Sequence, residues 1–186
     1  MKPLALLPVL LAFASPAAAI EPIAFGEIGY GGTGCPAGTA TIVTNDARTS
    51  ASLSLSSYAV GDAGRSLDRK ACALAIPVIV PDGVAVAIRS VTLVGNADLP
   101  PDVEATLTLE AFAAGEAGDL TEQTLTGLRS GSWQRTVWVE WNKLVWTGCG
   151  EDTNLRVNTS LRTRGNAQAK LSIDTLTLYR FHTKAC

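Results

Sequence analysis

All four tryptophans of the chain fall in one stretch, SWQRTVWVEWNKLVW, at positions 133, 138, 141 and 146. The C–H face of a sugar ring is apolar, and a flat, stiff indole suits it, so a row of exposed indoles would make a carbohydrate platform. Buried, the same residues would be ordinary core. Side chains alternate along a strand, which puts Trp138 and Trp146 on one face and Trp133 and Trp141 on the other. A sheet with one buried face therefore cannot bury all four. A short helical turn would group Trp138, Trp141 and Val145 instead. Trp133, Trp138 and Trp141 are the candidate ligand-binding residues, for a carbohydrate or a cell-surface polymer. Trp146, close before Cys149, is the expected core member.

Other chemistry finds less to work with. His182 is the only histidine, so a Ser–His–acid triad would have to use it, and no G-x-S-x-G elbow accompanies it. It reads as a strand-end surface residue. One histidine also rules out H-E-x-x-H zinc chemistry. The cysteines form no C-x-x-C pair, so no metal site is expected. Asp62, Asp68, Asp82, Asp102, Glu151, Asp152 and Asp174 could pair for glycoside hydrolysis, which needs two carboxyl groups about 5–9.5 Å apart. Most of them sit beside Gly or Pro, where an acid closes a turn by bonding nearby backbone. Glu104 and Glu110 share a face but would lie ~20 Å apart along a strand. No catalytic residue is assigned.

Gly29, Gly31 and Gly34 in GYGGTGCPAG spell G-x-G-x-x-G. A dinucleotide loop must follow a strand and open a helix, with an acid about 20 residues further on. Here Pro36 and the β-branched run TATIVT follow, and residues 51–58 hold no acid. No cofactor is expected. Asn158-Thr159-Ser160 is an N-glycosylation sequon on an outward face, used only where the host glycosylates. Arg156, Arg162 and Arg164 beside it form a basic stripe, read as a solvated sheet face or, as the minority reading, a weak surface for acidic glycan. Arg65, Arg69 and Lys70 surround Asp68 in GRSLDRKAC, which reads as a turn held by local ion pairs of little energetic weight.

These residues need a scaffold, and the chain offers strands. Residues 1–19 open with Lys2, continue in an apolar run and end in Ala17-Ala18-Ala19, the pattern of a secretory signal peptide. The apolar run is too short to span a bilayer, which takes ~20 residues, so no membrane span is expected. The chain has 15 basic and 17 acidic residues, and removing residues 1–19 takes away one Lys and no acid, leaving 14 against 17. That mildly acidic balance argues against a nucleic-acid partner, whose binding footprint is basic. Residues 20–186 fit a single domain.

Four cysteines on an exported chain read as two disulfides. Of the three possible pairings the favoured one joins sequence neighbours, Cys35 to Cys72 and Cys149 to Cys186. The glycines of GYGGTGCPAG would let Cys35 swing onto Cys72.

TATIVT (39–44) and SASLSLSSY (50–58) form a hairpin pair around Asn45-Asp46. KACALAIPVIV places Cys72, Leu74, Ile76, Val78 and Val80 on one face. Its Pro77 cannot donate to a ladder, which marks an edge or a break. In VAVAIRSVTLV the apolar set changes from even positions (Val84, Val86, Ile88) to odd ones (Val91, Leu93). A period of two changes phase only by an extra residue, so a β-bulge is expected at Arg89-Ser90. Residues 102–111 and 153–164 alternate with one apolar face, and the last strand slips phase near Asp174. The pattern is an all-β chain, an antiparallel, jelly-roll-like β-sandwich stapled by two disulfides.

GGTGCPAG, SLDRKACALAIPVIVPDGVAVAI and LVWTGCGEDTNLRVNTSLR together resemble domain of unknown function 4360, a family of small secreted proteins of fungi and bacteria. The resemblance covers nearly all of residues 20–186 and implies export, a β fold and paired cysteines, with no catalytic or ligand residues to carry over. The resulting expectation is a secreted, non-enzymatic binding or surface-structural module. A carbohydrate-binding module using the tryptophans and an acid-pair glycan hydrolase are the alternatives, and the oligomeric state stays open.

Overall fold

The structure, a computed structural model, describes residues 23–45, 50–61, 65–127, 129–165 and 168–186. The expected signal peptide, Asp46 and Asp62 lie outside the described residues. The alternating runs become two antiparallel sheets. The first lines up β1 (Ala24–Phe25), β6 (Leu67–Ile79), β11 (Thr153–Arg164), β8 (Glu104–Ala113) and β9 (Asp119–Thr126), with β2 (Gly29–Gly31) also on β6. The second lines up β3 (Ala40–Thr44), β4 (Ala51–Leu55), β13 (Thr175–Ala185), β7 (Val84–Leu99), β12 (Lys170–Ser172) and β5 (Ala59–Val60). On β7, β10 (Arg129–Trp138) pairs the same residues as β13 and β12 and so takes the opposite edge.

From β6 onward the chain crosses repeatedly between the sheets, giving the jelly-roll-like sandwich that the alternation predicts. Leu74, Ile76, Leu109, Leu155 and Leu161 of one sheet and Leu53, Leu93, Leu171 and Leu176 of the other are fully buried in one core. The disulfides are Cys35–Cys72 and Cys149–Cys186, with Cα atoms 5.4 and 6.2 Å apart.

The expected punctuation is present. β3 and β4 form the hairpin, with Thr44 opposite Ala51. Pro77 lies within β6, and its carbonyl accepts from Gly26 N at 2.8 Å. The N–H and C=O of one strand residue point to the same side, so the donor that Pro77 lacks would face the gap between β1 and β2. β6 itself is unbroken, and the interruption lies in its edge partner.

The phase change at Arg89-Ser90 is a bulge, and β13 carries a matching irregularity. Leu178 faces Val91, Arg180 faces Ser90 and Phe181 faces Ile88, so each strand has one extra residue and the register recovers beyond it. The slip near Asp174 is the gap between β12 and β13.

One expectation fails. Residues 67–72 of GRSLDRKAC are not an ion-paired turn but the start of β6. Asp68 accepts the Gly61 N–H at 2.9 Å and Lys70 donates to the Ser57 carbonyl at 3.2 Å. A carboxylate so used holds a loop to a strand rather than a neighbouring cation.

Tyr58 sits in the core at 1% exposure, its hydroxyl 3.0 Å from Thr159 Oγ1. Burial pushes its pKa from 10.0 up to about 12, against the smaller opposing effect of the Thr159 hydrogen bond. The folded state therefore holds this proton more tightly than the unfolded chain. The associated stability is complete below pH 10 and is lost as pH rises through 12. A shift of this size corresponds to ~3 kcal/mol. Urea denaturation across this alkaline range should show a steep stability loss that Tyr58→Phe flattens. An equal slope in both proteins would refute the assignment.

Candidate functional site

The tryptophans part company where β10 ends. On β10 the odd residues Trp133 and Val137 point inward, and Trp133 is only 7% exposed. It lies opposite Gly95 of β7, whose absent side chain leaves room for the indole. Trp133 is therefore core rather than part of a ligand surface, which corrects the expectation from its composition cluster. Trp138, of opposite parity, points outward.

The chain then leaves the β7 edge at Arg89, whose carbonyl accepts from Val139 N at 3.0 Å, and rejoins it at Val86, whose carbonyl accepts from Thr147 N at 2.9 Å. The excursion between contains a 3-10 turn, Trp141–Lys143. A turn breaks the strand parity, and so Trp141 comes round to the face of Trp138. The two are 61% and 50% exposed.

Arg89 joins them. Its guanidinium carbon lies 5.4 Å from the Trp138 ring centre and 4.8 Å from that of Trp141. The bulge makes this possible, since an extra residue re-aims a side chain that regular alternation would send elsewhere. Trp141 in turn meets His182 of β13 edge to face, ring centres 4.6 Å apart. Its indole touches residues of β7 and β13 and so lies across β7. Ala87, directly opposite His182, and Ala85, opposite Lys184, are both buried beneath this surface. Lys184 sits over Trp146 with its ammonium 4.5 Å from the ring centre. Trp146 is thus only partly core; it packs against the core and shows a face to the surface.

The Cys149–Cys186 bond closes the end of this patch, with Gly150 N on Val84 O and Cys186 N on Gly83 O, each 2.9 Å.

A cleft of about 230 Å³ opens beside Trp138, lined by Asp119, Thr121, Glu140 and Lys143. Lys143 Nζ holds Asp119 at 2.7 Å and Glu140 at 3.9 Å. The Asp119 hydrogen bond raises the Lys143 pKa. These acids were not singled out from sequence. Of those that were, Asp152 accepts from Val80 N at 2.9 Å, and Asp174 bonds Asn96 and Ser172.

On the opposite sheet, a trough of about 370 Å³ is floored by Ala71 and Ala73 and walled by Arg69, Thr108, Glu110 and Asn158. Asn158 sits mid-strand on β11, and its amide donates to Glu110 at 3.2 Å. Arg162 is 3.8 Å from Glu104 and 3.4 Å from Thr106 Oγ1. The basic stripe is therefore interleaved with acids.

The glycines of GYGGTGCPAG likewise have structural partners. Gly29 and Gly31 lie in β2, Gly32 takes φ +141° against the Ala71 carbonyl, and Gly34 packs on the Tyr58 ring.

Arg89, Lys184 and the role of His182 were not found from sequence. The available signal was a basic residue at the phase slip of an otherwise apolar strand. Among the described residues no helix is long and apolar enough to cross a membrane.

Comparison with known proteins finds a secreted fungal relative. The chain is 30% identical over 162 residues to an uncharacterized secreted protein of Arthroderma benhamiae, covering 79% of this chain and 63% of the relative. The chain thus spans less than two thirds of that relative's length. Two disulfides accord with an oxidising compartment. Among solved structures it is similar to TmCBM61 in complex with beta-1,4-galactotriose, at 15% identity and TM-score 0.33, covering 88% of this chain and 91% of that one. It is also similar to the Family 11 Carbohydrate-Binding Module from Clostridium thermocellum, at 10% identity and TM-score 0.23, covering 89% and 92%. Residues 22–186 match DUF4360, a domain of unknown function, and the chain belongs to that family.

Proposed function

We propose that this is an exported, non-enzymatic binding module whose Trp138–Trp141 platform stacks on carbohydrate, as part of a polysaccharide or cell-surface polymer. The observation that carries the reading is the pair of indoles, at least half exposed, brought to one face by a turn and held over a shared guanidinium. Soluble chains rarely leave large aromatic groups contiguous in water without a partner. Order here is built in, because the 3-10 turn, the bulge and the disulfide place the rings before any ligand arrives, which lowers the entropy cost of binding.

The test is a glycan array followed by titration of the strongest binder. Trp138→Ala and Trp141→Ala should each weaken binding by ~30-fold, the ~2 kcal/mol of a buried aromatic anchor. A flat array, or binding indifferent to both substitutions, would sink the proposal.

A further inference from the structure

We infer that the sugars this platform takes are anionic, with a carboxylate seated against Arg89; the inference rests on the glycan-binding reading above. The charge of the patch is one-sided. Arg89 on β7 and Lys184 on β13 carry it, and together with His182 they interleave with Trp138, Trp141 and Trp146. Among the described residues no carboxylate lies within ion-pair distance of any of the three. Asp119 and Glu140, which line the cleft beside Trp138, are both drawn to Lys143.

The sharper observation is atomic. Arg89 Nη1, like Trp133 Nε1 in the core, is buried and has no hydrogen-bond partner, and a ligand oxygen reaches it only when a covering side chain shifts. Buried polar groups are almost always paired, and a charged donor left without an acceptor is costly to the fold. Indole faces offset part of that cost through their quadrupoles but supply no oxygen. A guanidinium presents a planar fork of donors that matches a carboxylate two bonds at a time. A uronate ring offers both halves of the match: a C–H face for the indole and a carboxylate on the same ring for Arg89. Along a polyuronate the pairing would repeat toward His182 and Lys184. The basic stripe on the other sheet lacks this character, since Arg162 already faces Glu104.

The probes are an oligouronate and its carboxyl-reduced, neutral counterpart, titrated into the full chain with tryptophan fluorescence as the readout at low salt and at ~0.15 M salt. The acidic oligomer should bind at least ~10-fold more tightly, and salt should narrow the gap. Arg89→Gln should bring the two affinities together. Lys184→Gln, at an exposed position, should narrow the gap less and guards against a folding defect in the first variant. Trp141→Ala should weaken both oligomers alike. Equal affinity of the native protein for the two oligomers would overturn the inference while leaving the platform reading intact. Tryptophan-dependent binding of neither oligomer would end the inference, and the glycan array separately decides the platform.

Discussion

Replacing Cys149 and Cys186 together by serine should lower stability by ~4 kcal/mol and, in the molecules that stay folded, weaken glycan binding at least ~10-fold. The stability change follows from loop entropy. The two residues are 37 apart in sequence, and releasing a loop of that length returns that much freedom to the unfolded chain. It is a large share of the ~5–15 kcal/mol that holds a domain together. The binding loss follows from position. The bond joins the segment that ends in Trp146 to the strand end that carries His182 and Lys184, and the platform spans both.

Cys35–Cys72 supplies the control. Its sequence separation is the same 37 residues, but it is buried in the first sheet beside β2 and β6, away from the indoles. Cys35→Ala with Cys72→Ala should cost similar stability and leave affinity unchanged. Urea denaturation and titration of both double variants decide the point. Equal affinity in the two would show that the platform does not depend on its staple.

Gly34→Ala should destabilise the fold by ~2–4 kcal/mol, from overpacking together with a lost buried hydrogen bond. A β-carbon at this position would overlap the Tyr58 ring. The ring cannot simply step aside, because Tyr58 is fully buried and its hydroxyl is tied to Thr159, which in turn donates to the Cys72 carbonyl at 3.2 Å. Gly34 is itself held, its N–H on the Ala71 carbonyl at 2.8 Å. Gly31→Ala offers the comparison, since a β-carbon there meets nothing within 4 Å. Thermal melts should separate the two variants by many degrees. Coincident melts would show that the ring and the loop relax together.

The fold was largely legible because its signals are local. Alternation, the Asn45 hairpin and the Arg89-Ser90 phase change can be read from neighbouring residues, and the Cys35–Cys72 and Cys149–Cys186 pairing was the favoured one of three. The site was legible only in part. Trp138 and Trp141 stood out as residue types; strand parity put Trp141 on the face of Trp133, while the alternative of a short helical turn grouped it with Trp138, as the 3-10 turn does. Parity holds only while the chain is extended, and β10 stops at Trp138. Arg89 lies some 50 residues before its indoles, and His182 some 40 after them; strand order alone brings them together. No local pattern encodes that order. The ion-paired reading of Asp68 failed for a related reason: its partner is the backbone of Gly61, whose approach depends on tertiary packing.

β7 has a consequence for hydrogen exchange. It is covered on both edges for nearly its whole length, by β10 and the Thr147–Gly150 segment on one side and by β13 and β12 on the other. Amides protected in this way exchange only when the whole domain opens, whereas short edge strands such as β1 and β2 fray on their own. β7 should therefore hold the slowest protons in the molecule, with one lapse where the bulge interrupts the ladder. That lapse is at Arg89. The cation of the site thus sits at the one place where the most rigid strand can breathe, with a fixed frame on either side of it.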